Sequence, residues 1–283
     1  MERLGSKEEA RQAVTEARRE GKRIALVPTM GALHDGHLSL VAAARERADY
    51  VVVSIFVNPT QFAPGEDFEA YPRDIPRDLD LLGAEGADLV FTPSTDAMYA
   101  ANAEVMVEPG PLGSVLEGAT RPTHFRGVCT IVAKLLNITA PDLAFFGEKD
   151  YQQLTVLRRM VRDLDMPVKV VGCPIVRECD GLAMSSRNVY LSRDERAAAT
   201  VLYRALRSAE TLALDGERDP RVLEEAMRSL VESEPLASLD YAVVADAATL
   251  APLERVDGVP ARALIAARVG VTRLIDNLAL GVC

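Results

Sequence analysis

Pro28-Thr29-Met30-Gly31-Ala32-Leu33-His34-Asp35-Gly36-His37 is the stretch on which the reading of this chain turns. An apolar run, Ile24 to Val27, precedes it, and Leu38 to Ala48 follows with Leu38, Val41, Ala42 and Ala44 at helical spacing. The pattern predicts a strand, a glycine-bearing turn and a helix start. Exposed N–H groups and the positive end of a helix receive phosphate at such a junction. His34 and His37 are two of the chain's 3 histidines, and their rings add donors for charge at phosphorus. ATP is the expected ligand. A histidine pair at this spacing also suits a metal or plain packing, but a zinc site needs further ligands and the remaining histidine is His124.

Working outward, strand and helix patterns alternate through the first 175 residues. Tyr50–Val57 is a continuous apolar run suited to a strand buried on both faces. A helix is expected near Pro76–Glu85, then strands over Asp88–Phe91 and Glu104–Val107. A helix over Gly127–Leu136, a strand over Leu143–Phe146, a helix over Gln152–Leu164 and a strand over Val168–Val171 complete the series. The charged segment Met1 to Gly21 reads as helix. The fold class is α/β: a Rossmann-like parallel sheet with helices on both faces, over residues 1–175. Ligands of such sheets bind beyond the carboxyl ends of the strands, where His34, Asn58 and Gly147 fall.

Beyond Pro174 the character changes to a smaller C-terminal α+β domain, residues 176–283. Ser192-x-x-Glu195 is a capping box opening a long helix toward Leu212. A helix over Arg221–Glu232 follows, then strands over Tyr241–Ala245, Ala263–Ala267 and Thr272–Asn277.

Bulk properties exclude several functions. The 283 residues carry a net charge of −10, which argues against a nucleic-acid partner. Arg158, Arg159 and Arg162 cluster, but as a solvated helix face. No apolar run approaches the roughly 18 residues of a membrane span, and no secretory leader is evident, so a cytoplasmic location without a membrane partner is expected. Cys129, Cys173, Cys179 and Cys283 lack zinc spacing and read as reduced structural thiols.

Two further clusters could carry chemistry. In Phe145-Phe146-Gly147-Glu148-Lys149-Asp150-Tyr151-Gln152-Gln153, Lys149 suits a phosphate and Asp150 a ribose hydroxyl, although a solvated helix cap has the same composition. Met184-Ser185-Ser186-Arg187-Asn188 offers hydroxyls and a guanidinium to an anion, or is an ordinary surface loop. Asn58-Pro59-Thr60-Gln61-Phe62 sits at the expected ligand mouth. Residues 63–75 are rich in Pro, Gly and acids, as a mobile lid is. Arg121 to Gly127 faces the cleft or ends a helix.

Taken together, the runs Pro28–His37, Ser54–Phe62, Arg121–Val128, Phe145–Leu154, Asp180–Asn188 and Thr272–Asn277 resemble the pantoate–β-alanine ligase (pantothenate synthetase) family over nearly the whole chain. The histidine signature is similar to that of the wider nucleotidylyl transferase superfamily. The resemblance implies that (R)-pantoate is adenylated by ATP with Mg²⁺, and that β-alanine then displaces AMP. It implies an ATP site of Met30, Gly31, Ala32, Leu33, His34, Asp35, Gly36 and His37, with His37 as the acid. Gly147, Glu148, Lys149 and Asp150 would serve the same nucleotide, Lys149 on phosphate. Val176 and Met184 would meet adenine, and Ser185, Ser186 and Arg187 would close over the phosphates from the second domain. Gln61 and Gln153 would hold pantoate, Gln61 also lying near β-alanine, with Asn58, Arg121 and His124 behind them. Asp78 matches an acidic position used near the metal, while Arg77 stands where relatives often have a second acid. A homodimer is implied as well. An adenylyltransferase stopping at a nucleotide product and a silent nucleotide-binding module are the competing readings; a tRNA synthetase fits the acidic charge and short second module poorly.

Overall fold

A computed structural model describes residues 1–63 and 65–281. The chain divides into two units: residues 1–148 with 153–174, and residues 149–152 with 175 onward.

The first unit follows from its apolar runs. Its elements are β1 (Glu2–Leu4), α1 (Lys7–Arg19), β2 (Ile24–Thr29), α2 (Asp35–Arg45), β3 (Tyr50–Ile55), α3 (Ile75–Glu85), β4 (Leu89–Phe91), α4 (Thr95–Met98), α5 (Glu117–Thr120), α6 (His124–Thr139), β5 (Leu143–Gly147), α7 (Tyr151–Asp163) and β6 (Lys169–Cys173). The strands form one parallel sheet in the order β1-β4-β3-β2-β5-β6. Ile24 to Val27 and Val51 to Val53 are wholly buried, as central parallel strands covered on both faces must be. The order turns at β2, which pairs with β3 on one side and β5 on the other. That reversal opens a crevice at the strands' carboxyl ends.

Helix ends follow local chemistry. Ser6 caps α1 by accepting from Glu9 N at 3.1 Å. Asp74 caps α3, which carries Pro76 in its first turn and stops at Gly86 in the left-handed conformation (φ 82°).

In the second unit, α8 (Arg193–Ala198), α9 (Val201–Leu214) and α10 (Pro220–Glu232) precede the antiparallel sheet β7 (Ala237–Asp246), β8 (Ala261–Val269) and β9 (Thr272–Leu280), ordered β7-β8-β9. Leu202, Leu206, Leu223, Met227 and Ile265 join in its core. The Ser192–Glu195 capping box is present.

Several expectations are corrected. The amino-terminal segment is not all helix: Glu2–Leu4 is an edge strand pairing with β4. Glu104–Val107 is not a strand; Val105 is 89% exposed and Val107 N donates to the Thr130 side chain. The helix behind the capping box breaks after Ala198 and restarts at Val201. Cys129 and Cys173 are buried and free, Cys179 is free but exposed, and Cys283 lies outside the described residues. Burial pushes the Cys129 thiol up to about 12, so it is a packing residue. Among the described residues, no helix is long and apolar enough to cross a membrane.

Asp142 ties the start of β5 to β2, accepting from Ile24 N at 2.7 Å and Arg18 Nη1 at 3.2 Å. Burial pushes its carboxyl up, but the Ile24 amide and Arg18 outweigh this and hold it below the ordinary value of 3.8. A depressed folded-state pKa gives stability that is present above 3.8 and lost as pH falls through the lower folded value. Asp142→Asn is therefore expected to be about 1 kcal/mol less stable than the parent near neutral pH, a figure kept small because both partners are solvent-accessible. Urea unfolding across pH should show that gap narrowing in acid; a gap that stays constant or widens counts against the assignment.

Candidate active site

The turn between β2 and α2 is built before its histidines are placed. Thr29 Oγ1 donates to Ser54 O at 2.7 Å and accepts from Gly31 N at 3.3 Å. Gly31 (φ 84°) and Ala32 (φ 50°) then turn through the left-handed region. A Cβ at Gly31 would meet Asp78 Oδ2 and Ile55 Cγ2 at 3.0 Å, so the close approach favours glycine as much as the dihedral does. Asp78, on α3 and with no exposed surface, accepts from Ala32 N at 2.9 Å and Leu33 N at 2.8 Å. Arg77 Nη1 donates to Leu33 O at 3.0 Å. Burial raises the Asp78 carboxyl, and the two amides pull it back part of the way.

Asp78 is the residue that the resemblance places near the metal. Both of its oxygens face backbone donors in the interior, so its observed task is to lock the turn. Among the described residues there is no cluster of three or more His, Cys, Asp or Glu able to hold a metal ion. Ala32 and Leu33, both expected at the ATP site, have their amides engaged by Asp78.

His34 caps α2 in an extended conformation, and its carbonyl accepts from His37 N at 2.7 Å and Leu38 N at 3.1 Å. One helical turn brings the two rings together, with centroids 4.1 Å apart and planes at 38°. Asp35 and Gly36 occupy the first turn, where amides have no intrahelical acceptor. Two imidazoles and a helix N-terminus thus share one spot, suited to a polyphosphate.

The mouth of β3 is organised around Asn58. Its Oδ1 accepts from Thr60 N at 3.4 Å and Tyr99 Oη at 2.8 Å, while its Nδ2 donates to Gly127 O at 3.2 Å and Gln61 Oε1 at 3.1 Å. An amide N–H can only donate and a carbonyl can only accept, so these partners fix which end of Asn58 is which. The Gln61 oxygen is therefore held by Asn58, and its Nε2 donates to Met30 Sδ at 3.1 Å. That contact joins the β3 mouth to the β2 turn. The Gln61 carbonyl is held by Arg121 Nη2 at 3.2 Å and His124 Nδ1 at 3.0 Å. Arg121 and His124 thus fix the backbone of Gln61. Gly127 is required here because a Cβ would sit 2.3 Å from Thr60 O. Tyr99 is a residue that sequence reasoning misses; a lone tyrosine ending a short helix carries no local signal for contact 41 residues away.

Three residues of the stretch expected as a lid make defined contacts. Phe62 meets Phe68 and Tyr71 edge-on, with centroids 5.4 and 6.0 Å away, and Glu66 pairs with Arg121 at 2.7 Å.

Gly147 ends β5, paired with Cys173, and Glu148 follows it in the first unit. Gln153 is half-buried in the first turn of α7. Lys149 and Asp150 lie in the second unit, with Lys149 Nζ 3.7 Å from Asp150 Oδ1. Met184 N donates to Val176 O at 3.0 Å, pinning together the two residues expected near adenine. Ser185 accepts from Arg187 N at 3.3 Å, and Ser186 is buried in the short turn that follows.

A family model described as "Pantoate-beta-alanine ligase" matches residues 3–279. The chain belongs to the pantoate–β-alanine ligase family. It is 55% identical to the pantothenate synthetase of Rubrobacter xylanophilus, over 98% of each chain. The pantothenate synthetase structure from Thermus thermophilus superposes with a TM-score of 0.94 at 48% identity, covering 99% of both chains. A structure of the ligase from Francisella tularensis complexed with beta-gamma ATP and beta-alanine has a TM-score of 0.81 at 32% identity, covering 100% of this chain and 99% of that one. Membership makes the chain a pantoate–β-alanine ligase in activity and accounts for the six-stranded parallel sheet followed by a three-stranded antiparallel one.

Removing the Asp78 carboxylate takes a charged acceptor from two amides of the turn. Asp78→Ala should cost roughly 2–5 kcal/mol, and Asp78→Asn, which keeps one acceptor oxygen, clearly less. Urea unfolding of the three proteins measures this; an alanine variant within about 0.5 kcal/mol of the parent would remove Asp78 as the lock of the turn.

Proposed function

We propose that this chain activates (R)-pantoate by adenylation and transfers the pantoyl group to β-alanine. A carboxylate oxygen of pantoate attacks the α-phosphorus of ATP, the bond to the β-phosphate bridge breaks, and pyrophosphate leaves. The β-alanine amine then attacks the acyl carbonyl of pantoyl adenylate, AMP departs, and the amine loses a proton to give pantothenate. A free carboxylate is a poor acyl donor, which is why adenylation comes first.

The observation that carries this reading is the adjacent His34–His37 ring pair at the start of α2, beside a turn locked by Asp78. Charge that grows on the phosphates in the transition state meets donors that need no rearrangement. His37 is assigned as the acid. The donor polarity of Gln61 supports a pantoate site there, because its NH₂ carries two N–H donors, one of them on Met30 Sδ, and such a donor suits hydroxyl or carboxylate oxygens. Gln153 is assigned to the same acid, and Gln61 also to β-alanine. Met30 to Gly36 line the nucleotide, and Gly147, Glu148, Lys149 and Asp150 serve it, Lys149 as a point charge on phosphate. Val176, Met184, Ser185, Ser186 and Arg187 are assigned to the same nucleotide. Mg²⁺ is assigned to the oxygens of the polyphosphate. A homodimer in the cytoplasm belongs to the same proposal.

Pyrophosphate–ATP exchange tests it. Exchange should require pantoate and proceed without β-alanine; a folded, ATP-binding protein that shows none with pantoate refutes the adenylation route. His37→Ala and Lys149→Ala should each lower the exchange rate by about 10²–10³-fold with the fold intact. Single-turnover rates equal to the parent's would strip these residues of their roles. Gln61→Glu replaces the NH₂ donor with an acceptor bearing charge, and should raise the KM for pantoate at least about 10-fold through like-charge repulsion. An unchanged pantoate KM would place the acid elsewhere.

A further inference from the structure

Lys149 sits on a short connection, and a lysine on a four-carbon stem delivers its charge only as reliably as its backbone is held. In the second unit, Asn277 on β9 donates from Nδ2 to Lys149 O at 2.9 Å. Asn277 is almost fully buried and set in a rigid frame. Its own amide donates to Asp276 Oδ1 at 2.7 Å, and its carbonyl accepts from Arg177 Nη2 at 3.2 Å. Arg177 grips Asp276 with both ends of its fork, at 2.6 and 2.9 Å, and its Nη1 donates to Gly181 O at 3.0 Å. The guanidinium lies 4.2 Å from the Tyr203 ring centroid, and a Cβ at Gly181 would collide with that ring at 2.1 Å. Two residues on from Lys149, Tyr151 Oη donates to Ala247 O at 2.9 Å, and the Arg262 guanidinium stacks 3.7 Å from the Tyr151 ring centroid. The Lys149–Tyr151 segment is therefore fastened at both ends.

We propose that Asn277 is a positioning residue for Lys149: its side-chain amide holds the lysine's carbonyl so that the ammonium is presented in one place for the adenylation step. The Asp276–Arg177 pair acts one level further back, fixing Asn277. This rests on the assignment of Lys149 to the phosphates of ATP. Misplacement of a catalytic charge by about 1 Å costs on the order of 10²-fold in rate. Loss of the Asn277 bond should therefore appear in the step that uses Lys149 and not in the one that does not.

The test compares half-reactions in the full-length protein. Asn277→Ala should lower kcat for pantoate-dependent pyrophosphate exchange by about 10- to 100-fold. Aminolysis of pre-formed pantoyl adenylate by β-alanine should stay within about 3-fold of the parent, a smaller change than any misplaced charge produces. In a Lys149→Ala background, Asn277→Ala should add little further loss, because both changes remove one function. Equal losses in both half-reactions, or losses that multiply in the double variant, would overturn the positioning role and leave a structural one. Should Asn277→Ala fail to fold, Tyr151→Phe keeps the ring and removes one fastening; a several-fold loss confined to exchange supports the proposal, and parent-like exchange overturns it. Absence of exchange in the unmodified protein would refute the adenylation reading itself, and this control separates the two failures.

Discussion

The bond pair between the buried Asp78 carboxylate and the amides of Ala32 and Leu33 is the constraint on which the first unit's chemistry depends. Thr29 and Arg77 also tie this turn, but the Asp78 carboxylate accepts from the amides of both Ala32, which disfavours its left-handed conformation, and the residue after it. The direction of the turn sets where His34 begins α2, and the helical repeat then sets His37 against it. A carboxylate with no exposure is costly to bury, and its pKa is raised accordingly. The protein accepts that cost to fix a backbone, and the two histidines inherit the precision.

The same device recurs at the β3 mouth. Asn58 bonds at both ends of its amide and thereby orients Gln61, and Tyr99 orients Asn58. Strand order explains why these two mouths can cooperate. β2 lies between β3 and β5, so the loops after β2 and β3 leave neighbouring strands on the same edge, and the Met30–Gln61 contact bridges them. A parallel sheet brings every such loop to one edge, so one helix start and one short turn, far apart in sequence, share a cleft.

What can be read in advance is what local pattern encodes. Ile24–Val27 and Tyr50–Ile55 announce buried parallel strands because both faces are apolar, and Ser192 with Glu195 announces a helix start because the capping box closes within four residues. The histidine pair is legible because its chemistry and its strand–turn–helix setting are contiguous. Other features have no local trace. Glu2–Leu4 is short and charged, and becomes a strand only through pairing with β4. Glu104–Val107 holds three consecutive apolar residues, two of them β-branched, yet forms no strand. The family resemblance, and no local pattern, puts Asp78 near the metal; its partners in the structure, the amides of Leu33 and Ala32, lie 45 and 46 residues away, beyond the reach of local reading.

Together these observations separate two kinds of polar residue that sequence reading tends to merge. Asp78, Asn58 and Asp276 are all essentially buried, and in the bonds described each faces the protein's own donors and acceptors. His34, His37, Lys149 and Arg187 are only half-buried and carry the donors that suit an anionic nucleotide. The proposed adenylation accounts for the division: in it the reactants bring the charge, so the protein needs donors at fixed points more than a strong acid or base. Fixed points require buried acceptors behind them, and a buried acceptor cannot also face a ligand. Asp78 and Asp276 are acids whose observed bonds hold the frame.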